Sequence, residues 1–381
     1  MDFSWTSEQL NKKQEVLNFA ENELSHDFIK RDKTGEFSRS DWKKCADYGL
    51  LGLPMPKELG GGGADILETM LVMETLGYAY RDSALIFGMN AQMWSVQMPM
   101  LSHGTEKQKK TYLQPMMRGE IIAAHCMSEP ESGSDAYSLR TTAEKDGASY
   151  ILNGEKTYIT NAPIADVFLV FATVNPKRGM WGVTGFIVEK GTPGLEISPV
   201  IEKMGLKTIP MGSIKLTNCR IPEENRLGPE GSGAQMFNGS MEWERSCILA
   251  SSLGAMEYQL EQSISYAKER KQFNQPIGNF QSVSNRIADM KVRIETARMM
   301  LYKVAWLKST GKSAVMEAAI AKLYISECYV QSSLDAVRIH GANGYISDFG
   351  IEYALRDSVG GLIYSGTSDI QRNIITRMLG L

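Results

Sequence analysis

The sequence predicts an α+β protein in which a β-rich middle domain separates an N-terminal helical domain from a C-terminal helical bundle. Three observations support this order. Helical patterns fill the first part of the chain, β-rich runs with turn dipeptides follow, and the last part is helical again. We therefore expect domains over residues 1–120, 121–228 and 229–381, and 381 residues are enough for two or three domains with a sizeable core.

The N-terminal region has the pattern of several helices. Thr6 and Gln9 have the spacing of a capping box and precede apolar residues such as Val16 and Phe19. Four glycines at 60–63 then interrupt the pattern. No Lys-Ser/Thr pair follows them and no strand clearly precedes them, so they indicate a flexible loop between helices rather than a phosphate-binding loop.

The middle region has the pattern of a mainly antiparallel β domain. Asp146-Gly147 and Asn153-Gly154 are dipeptides typical of hairpin turns. Short β-rich runs accompany them at 150–152, 157–160, 167–174, 183–188 and 195–201. Their spacing predicts a small barrel or sandwich that ends near Leu227.

The C-terminal region is predicted to form long helices that pack together. Its clearest helix carries an apolar stripe whose members are alternately four and three residues apart, as in antiparallel bundles. The stripe consists of Val283, Ile287, Met290, Ile294, Ala297, Leu301 and Val304.

Composition excludes several classes of function. The net charge is −3, and charged residues make up an ordinary 22% of the chain without long runs of one sign, so we expect neither a nucleic-acid nor a membrane partner. The N-terminus lacks the pattern of a signal peptide, and the five cysteines are scattered, which indicates a cytoplasmic protein. The cysteines and four histidines show no metal-ligand spacing, so we expect no metal site.

Three segments are candidates for ligand binding, although each has a plain structural alternative. Residues 126–135 are rich in hydroxyl and backbone donors, but they also suit a connecting loop. Residues 270–281 place Arg270 near Phe273, which suits a phosphate and a ring, or simply the end of a helix. Residues 340–345 contain glycines that would let a ligand approach, or form a turn. No GxGxxG motif follows a strand, which argues against a Rossmann nicotinamide site.

Taken together and in this order, these segments resemble the acyl-CoA dehydrogenase family of flavoproteins. Further similar motifs are Lys156–Asn161, Lys203–Leu206, Asn225–Gly228 and, above all, Leu362–Arg372, and the likeness runs from about residue 5 to 381. The resemblance implies the acyl-CoA dehydrogenase fold, with an N-terminal helical domain, a middle antiparallel β-barrel and a C-terminal four-helix bundle. It also implies a homotetramer with one FAD per subunit.

The resemblance assigns cofactor contacts to groups of residues. Against the flavin it implies Met127, Ser128, Gly133 and Ser134 from the first motif and Tyr158, Ile159 and Thr160 from the β domain. Toward the dinucleotide of a neighbouring subunit it implies Arg270, Phe273 and Gln281. On the adenine side it implies Arg338, Gly341, Ala342, Thr367 and Asp369.

The catalytic base is the point at which this sequence departs from most of the family. Most members carry a glutamate where Ser365 stands, and a serine hydroxyl cannot remove a carbon-bound proton unaided. In the isovaleryl-type branch a Glu-Arg pair at the position of Glu244 and Arg245 supplies the base instead. We therefore expect Glu244 to be the base, with Glu242 as a weaker candidate. Without the family, this pair would suit a solvated helix start.

The resemblance also implies the substrate contacts. Arg245, Tyr364 and Ser365 are expected to bind the substrate, and the backbone N–H of Ser365 is expected to donate to the thioester oxygen.

Four segments, at 161–166, 240–245, 333–341 and 359–367, are most similar to the L-prolyl carrier-protein dehydrogenases and oxidases, including the cyanobacterial anatoxin type. This branch implies α,β-desaturation of a prolyl thioester on a phosphopantetheinyl carrier protein, giving a dehydroprolyl, pyrroline or pyrrole product for a natural product. Dioxygen or an electron-transfer flavoprotein would accept the electrons. The alternatives are a short- or branched-chain acyl-CoA dehydrogenase that uses Glu244, a flavin monooxygenase, and a catalytically silent relative.

Overall fold

The computed structural model describes residues 4–381 and confirms the α+β fold class. The helices that precede the sheet are α1 Ser7–Glu23, α2 Phe28–Thr34, α3 Arg39–Asp47, α4 Ile66–Ala79, α5 Ser83–Gln92, α6 Met98–His103, α7 Glu106–Gln108 and α8 Gln114–Met117. The predicted capping box begins α1, with Thr6 and Gln9 bonded reciprocally. One π-helical turn, Met93–Gln97, joins α5 to α6, and a second, Lys109–Leu113, joins α7 to α8.

The strands of the middle region form one mixed, mostly antiparallel sheet. They are β1 Ala123–Cys126, β2 Thr142–Asp146, β3 Ser149–Thr160, β4 Val167–Thr173, β5 Val183–Glu189, β6 Leu195–Ile197, β7 Met211–Pro222 and β8 Arg226–Leu227. Their order is β6-β7-β3-β2-β4-β5-β8, and β1 lies beside β4. The β1–β4 and β2–β4 pairings are parallel, and the others are antiparallel.

One of the two predicted hairpin turns is wrong. Asp146-Gly147 does turn the chain between β2 and β3, but Asn153-Gly154 lies inside β3, where the pairing with β7 shifts register. A Cβ at residue 154 would lie 2.4 Å from Oγ1 of Thr141, so this glycine permits a close approach of two segments. The runs 150–152 and 157–160 are therefore parts of one bulged strand.

The C-terminal region consists mainly of long helices. Its elements are α9 Gly233–Cys247, α10 Ala250–Glu269, the short strands β9 Lys271–Gln272 and β10 Gln275–Pro276, α11 Gln281–Ser309, α12 Val315–His340, α13 Ala342–Tyr345, α14 Glu352–Gly360 and α15 Ser368–Met378. The predicted apolar stripe lies on α11. Its members from Met290 to Val304 are buried, while Val283 and Ile287 are half-buried against the same core.

Two large hydrophobic cores support this arrangement. One joins both helical regions and one face of the sheet, and the other fills the interior of the middle region. We propose that the domains divide at residues 120/121 and 228/229, so that the middle domain has its own core while the helical domains share theirs. Within residues 4–381, no helix combines the length and the apolar character that a bilayer span requires.

Candidate active site

A cavity of about 1460 Å³ lies where the three regions meet. Its walls come from α5 and the turn after it, from the sheet and its loops, and from α9 and the chain around α15. Many of the site residues predicted from sequence line this cavity. They are Met127, Ser128, Gly133, Ser134, Tyr158, Ile159, Thr160, Glu244, Arg245, Tyr364, Ser365 and Thr367.

Glu244 is the central ionisable group of the cavity. It lies on α9 and is only 7% exposed. The hydroxyl of Ser365 donates to its Oε1 at 2.5 Å, and the hydroxyl of Ser95 donates to its Oε2. Burial raises the pKa of Glu244 above its ordinary value, whereas the two hydroxyls and the guanidinium of Arg245 favour the ionised form. The carboxylate is thus fixed at both oxygens and strengthened as a base.

The turn that carries Ser365 is held at its carbonyl groups. Nε of Arg245 and Nε2 of Gln371 both donate to the Ser365 carbonyl, each at 3.2 Å, and Gln371 also donates to the Gly366 carbonyl at 2.8 Å. Ser365 has φ +56°, a conformation that is uncommon for residues other than glycine. In the described part of the chain, no acceptor is bonded to the Ser365 N–H, which leaves it available to a ligand.

The neighbouring glutamate, Glu242, has a different environment. Its carboxylate accepts a hydrogen bond from Nζ of Lys308 at 2.8 Å, and the same ammonium lies 4.3 Å from the ring centroid of Trp243. Glu242 borders the cavity, but it forms a direct ion pair with Lys308, whereas no ion pair is formed by Glu244 among the described residues. This pairing favours Glu244 over Glu242 as the base.

The part of the cavity wall formed by β3 and the loop before β2 has the features expected of a cofactor cradle. Nζ of Lys156 is buried and donates to Oε1 of Glu129 at 2.8 Å, which ties the hydroxyl-rich loop to β3. On the same strand Tyr158 has φ +58° and is 64% exposed, so its ring is presented at the cavity. A Cβ at Gly133 would meet no heavy atom within 4 Å, so the loop is open on this side. An exposed ring and a donor-rich loop that line the same cavity suit a planar, polar cofactor.

The remaining predicted cofactor residues lie outside this cavity. Arg270 follows α10, Phe273 is 87% exposed, Gln281 begins α11, and Asp369 bonds Arg372 within α15. The others lie at the end of α12 and just beyond it, namely Arg338, Gly341 and Ala342. Their expected contacts with a cofactor involve a neighbouring subunit or the adenine side and stay predictions.

Two residues of the site were not found from the sequence. Ser95 contacts Glu244 across 149 positions of the chain, and it lies in a helical stretch with the apolar pattern of a buried helix. Lys322 is completely buried on α12, and its charge acts on Glu244. The only local signal for either is a polar residue within an apolar helix, which is too common to indicate a site.

Among residues 4–381, no group of three or more His, Cys, Asp or Glu side chains is placed to hold a metal.

The comparisons with protein families cover nearly the whole chain. Residues 6–120 match the N-terminal domain of acyl-CoA dehydrogenases, residues 124–219 match the middle domain, and residues 231–380 match the C-terminal domain.

Curated relatives and solved structures are similar over the same length. An L-prolyl-[peptidyl-carrier protein] dehydrogenase of Pseudomonas fluorescens is 45% identical over 347 residues, covering 91% of each chain. One of the same name from Serratia sp. is 41% identical over 381 residues, covering 100% of this chain and 99% of its own. The crystal structure of the prolyl acyl carrier protein oxidase AnaB matches with a TM-score of 0.98 and 50% identity over 99% of this chain and 100% of AnaB.

A structure of PigA with FAD and proline also matches, with a TM-score of 0.97 and 41% identity over 100% of both chains. The family expected from the sequence is thereby confirmed: the protein belongs to the acyl-CoA dehydrogenase family.

Proposed function

We propose that this protein is an FAD-dependent enzyme that desaturates an L-prolyl thioester between Cα and Cβ while the prolyl group is tethered to a carrier protein. The names of the relatives support the substrate, and PigA with FAD and proline supports the cofactor. The observation that carries the proposal is the buried Glu244 carboxylate. It accepts a hydrogen bond from Ser365, the serine that stands where most of the family has its base.

In this reaction Glu244 takes the proton from Cα of the prolyl group. Its raised pKa makes it a stronger base than an exposed carboxylate, provided that it remains ionised at the working pH. The two serine hydroxyls keep the carboxylate ionised and oriented. The free N–H of Ser365 donates to the thioester oxygen as negative charge develops there.

The cofactor wall suits FAD, and we assign its contacts to the residues already placed there. Met127, Ser128, Gly133 and Ser134 would hold it from the loop, Tyr158, Ile159 and Thr160 from β3, and Thr367 from the start of α15. When bound, FAD supplies the acceptor for the hydride that leaves Cβ, so that the α-proton and β-hydride together leave one new C=C bond.

The assembly and the electron acceptor belong to the same proposal. Arg270, Phe273 and Gln281 would serve the cofactor of a neighbouring subunit in a homotetramer, and Arg338, Gly341, Ala342 and Asp369 the adenine side. Dioxygen or an electron-transfer flavoprotein would reoxidise the flavin. One round of oxidation gives a dehydroprolyl group, which can isomerise to a pyrroline, and two rounds give a pyrrole.

The direct test is Glu244→Gln, assayed as anaerobic flavin reduction by a prolyl-loaded carrier protein. We expect the variant to retain FAD and to lose about 1000-fold in the rate of flavin reduction, because loss of a general base removes that order of rate. Glu242→Gln is the matched control and should stay within about twofold of the native rate. A Glu244→Gln enzyme that retains FAD and turns over normally would rule out this base.

The substrate is tested separately. The native enzyme is incubated in air with prolyl carrier protein, and the intact mass of the carrier shows whether two or four hydrogens are lost. Butyryl-CoA and isovaleryl-CoA are assayed in parallel, because an acyl-CoA dehydrogenase that uses Glu244 is the rival function. If the CoA esters reduce the flavin and the prolyl carrier protein does not, the prolyl substrate is ruled out.

A further inference from the structure

Lys322 is a buried lysine that contacts the turn leading to Ser365. It lies on α12 with its side chain 0% exposed, and its Nζ donates to the Gly361 carbonyl at 2.8 Å. The same ammonium lies 5.9 Å from the ring centroid of Tyr364. Gly361 begins the turn that ends at Ser365, so Lys322 anchors the start of the segment whose far end bonds Glu244.

Among the negative charges that act on Lys322, Glu244 has the largest effect, although the positive charge of Arg245 acts more strongly still. Glu244 and Arg245 face it from α9, and Glu327 acts on it from its own helix. Glu327 is 42% exposed and accepts a hydrogen bond from Ser368, so solvent screens its charge. Glu244 is buried, where a nearby charge acts more strongly.

The protonation behaviour agrees with this geometry. Burial and the positive charge of Arg245 lower the pKa of Lys322 to about 8, while the carboxylate of Glu244 opposes that shift. A buried lysine with this pKa is still mostly protonated at neutral pH. In return, its positive charge lowers the pKa of Glu244 against the effect of burial.

We propose that Lys322 is a positioning residue for the reaction, in which one ammonium fixes the start of the Ser365 turn and keeps the Glu244 carboxylate ionised. This inference rests on the proposed role of Glu244 as the base. Neither a neutral hydrogen-bond donor nor a distant lysine could serve both purposes. A lysine that only held Gly361 in place would be replaceable by any donor of similar reach.

The test uses three substitutions that separate charge from hydrogen bonding. Lys322→Arg keeps both, Lys322→Gln keeps a donor without the charge, and Lys322→Met removes both. Each FAD-loaded variant is assayed for anaerobic flavin reduction by prolyl carrier protein as a function of pH. The acidic limb of the pH profile is the region where the rate falls because Glu244 becomes protonated. We expect this limb to shift upward by about one pH unit in the Gln and Met variants, since a neighbouring positive charge has an effect of this size. At pH values below the acidic limbs of both the native and the variant profile, a shift of this size corresponds to a rate of flavin reduction about tenfold lower than the native rate.

Control variants separate the charge of Lys322 from a general effect of removing a buried lysine. Lys308→Gln removes another largely buried lysine, one that pairs with Glu242, and should leave the acidic limb in place. Lys322→Arg should follow the native profile. Superposition of the Gln and native profiles, or an equal shift in the Arg variant, would overturn the inference. If only Lys322→Arg yields folded enzyme, Lys322 is required for folding rather than for the ionisation of Glu244. That outcome would also contradict the inference.

The underlying role of Glu244 is decided independently by Glu244→Gln. If that variant keeps the native rate and acidic limb, the proposed base fails whatever Lys322 does. If it loses flavin reduction while Lys322→Gln keeps the native profile, only the inference about Lys322 fails.

Discussion

Ser95 and Ser365 hold the two oxygens of a single carboxylate, and each hydroxyl stabilises its charged form. Removing one donor with Ser95→Ala should therefore raise the pKa of Glu244. We expect the acidic limb of flavin reduction to move upward by about one pH unit, since a hydrogen bond to a charged group contributes about 1.5 kcal/mol. The pH profile of anaerobic flavin reduction is the measurement.

The matched control for this substitution is Ser246→Ala on the same helix as Glu244. Ser246 is buried too, but its hydroxyl donates to the Glu242 backbone carbonyl, so its removal should leave the profile unchanged. Equal profiles for Ser95→Ala and the native enzyme would show that Ser95 has no influence on the base.

At this scale, the sequence predicted residues whose neighbours along the chain form a recognisable motif. Glu244 and Ser365 were found because a serine stands where most of the family has glutamate and a Glu-Arg pair stands elsewhere. Ser95 and Lys322 act only through contacts made by folding, with partners on other elements. Their short-range sequence resembles ordinary helix interior, so no pattern distinguishes them.

Helices α4 and α10 approach so closely that glycine is required on both. A Cβ at Gly254 would lie 1.9 Å from the Glu74 carbonyl oxygen, and a Cβ at Gly77 would lie 2.0 Å from that of Ser251. Gly254→Ala should separate the helices and lower the free energy of unfolding by about 3 kcal/mol, as overpacking does. Denaturant unfolding followed by circular dichroism measures this change.

Gly239→Ala on α9 is the control for that substitution, because a Cβ there meets no heavy atom within 4 Å. In a helix interior it should raise the free energy of unfolding by about 0.5 kcal/mol. A Gly254→Ala protein as stable as the native one would mean that the helices are not in such close contact.

Whether an element was predicted correctly depended on how many structures share its sequence signal. The alternating apolar spacing on α11 suits a packed helix and little else, and the buried stripe confirms it. Asn-Gly suits a hairpin turn, but glycine is equally needed at a bulge. Only the approach of Thr141 to Gly154, a contact between separate segments, decides between the two.

Across the whole molecule, buried polar contacts join the three regions near the cavity. The Thr208 hydroxyl of the middle region donates to Oδ1 of Asp82 in the N-terminal region at 2.5 Å. The Leu206 N–H donates to Oδ1 of Asp357 on α14, also at 2.5 Å. Leu206 and Asp357 both line the cavity, so these contacts hold one of its walls together.

Asp357 makes the stability of this junction depend on pH. Burial raises its pKa from 3.8 to about 7. Between these values the folded protein keeps a proton that the unfolded chain releases, so Asp357 lowers the free energy of unfolding as pH rises toward about 7.

Asp357→Asn retains an acceptor for Leu206 without the charge. Relative to native protein, it should therefore gain about 4 kcal/mol at about pH 8 and less than about 1 kcal/mol at about pH 4. Thermal unfolding of FAD-loaded protein at both pH values tests this. Asp348→Asn, at an exposed carboxylate whose pKa is lowered by Lys33, should show no such gain. A constant difference between Asp357→Asn and native protein would mean that Asp357 does not titrate in this range.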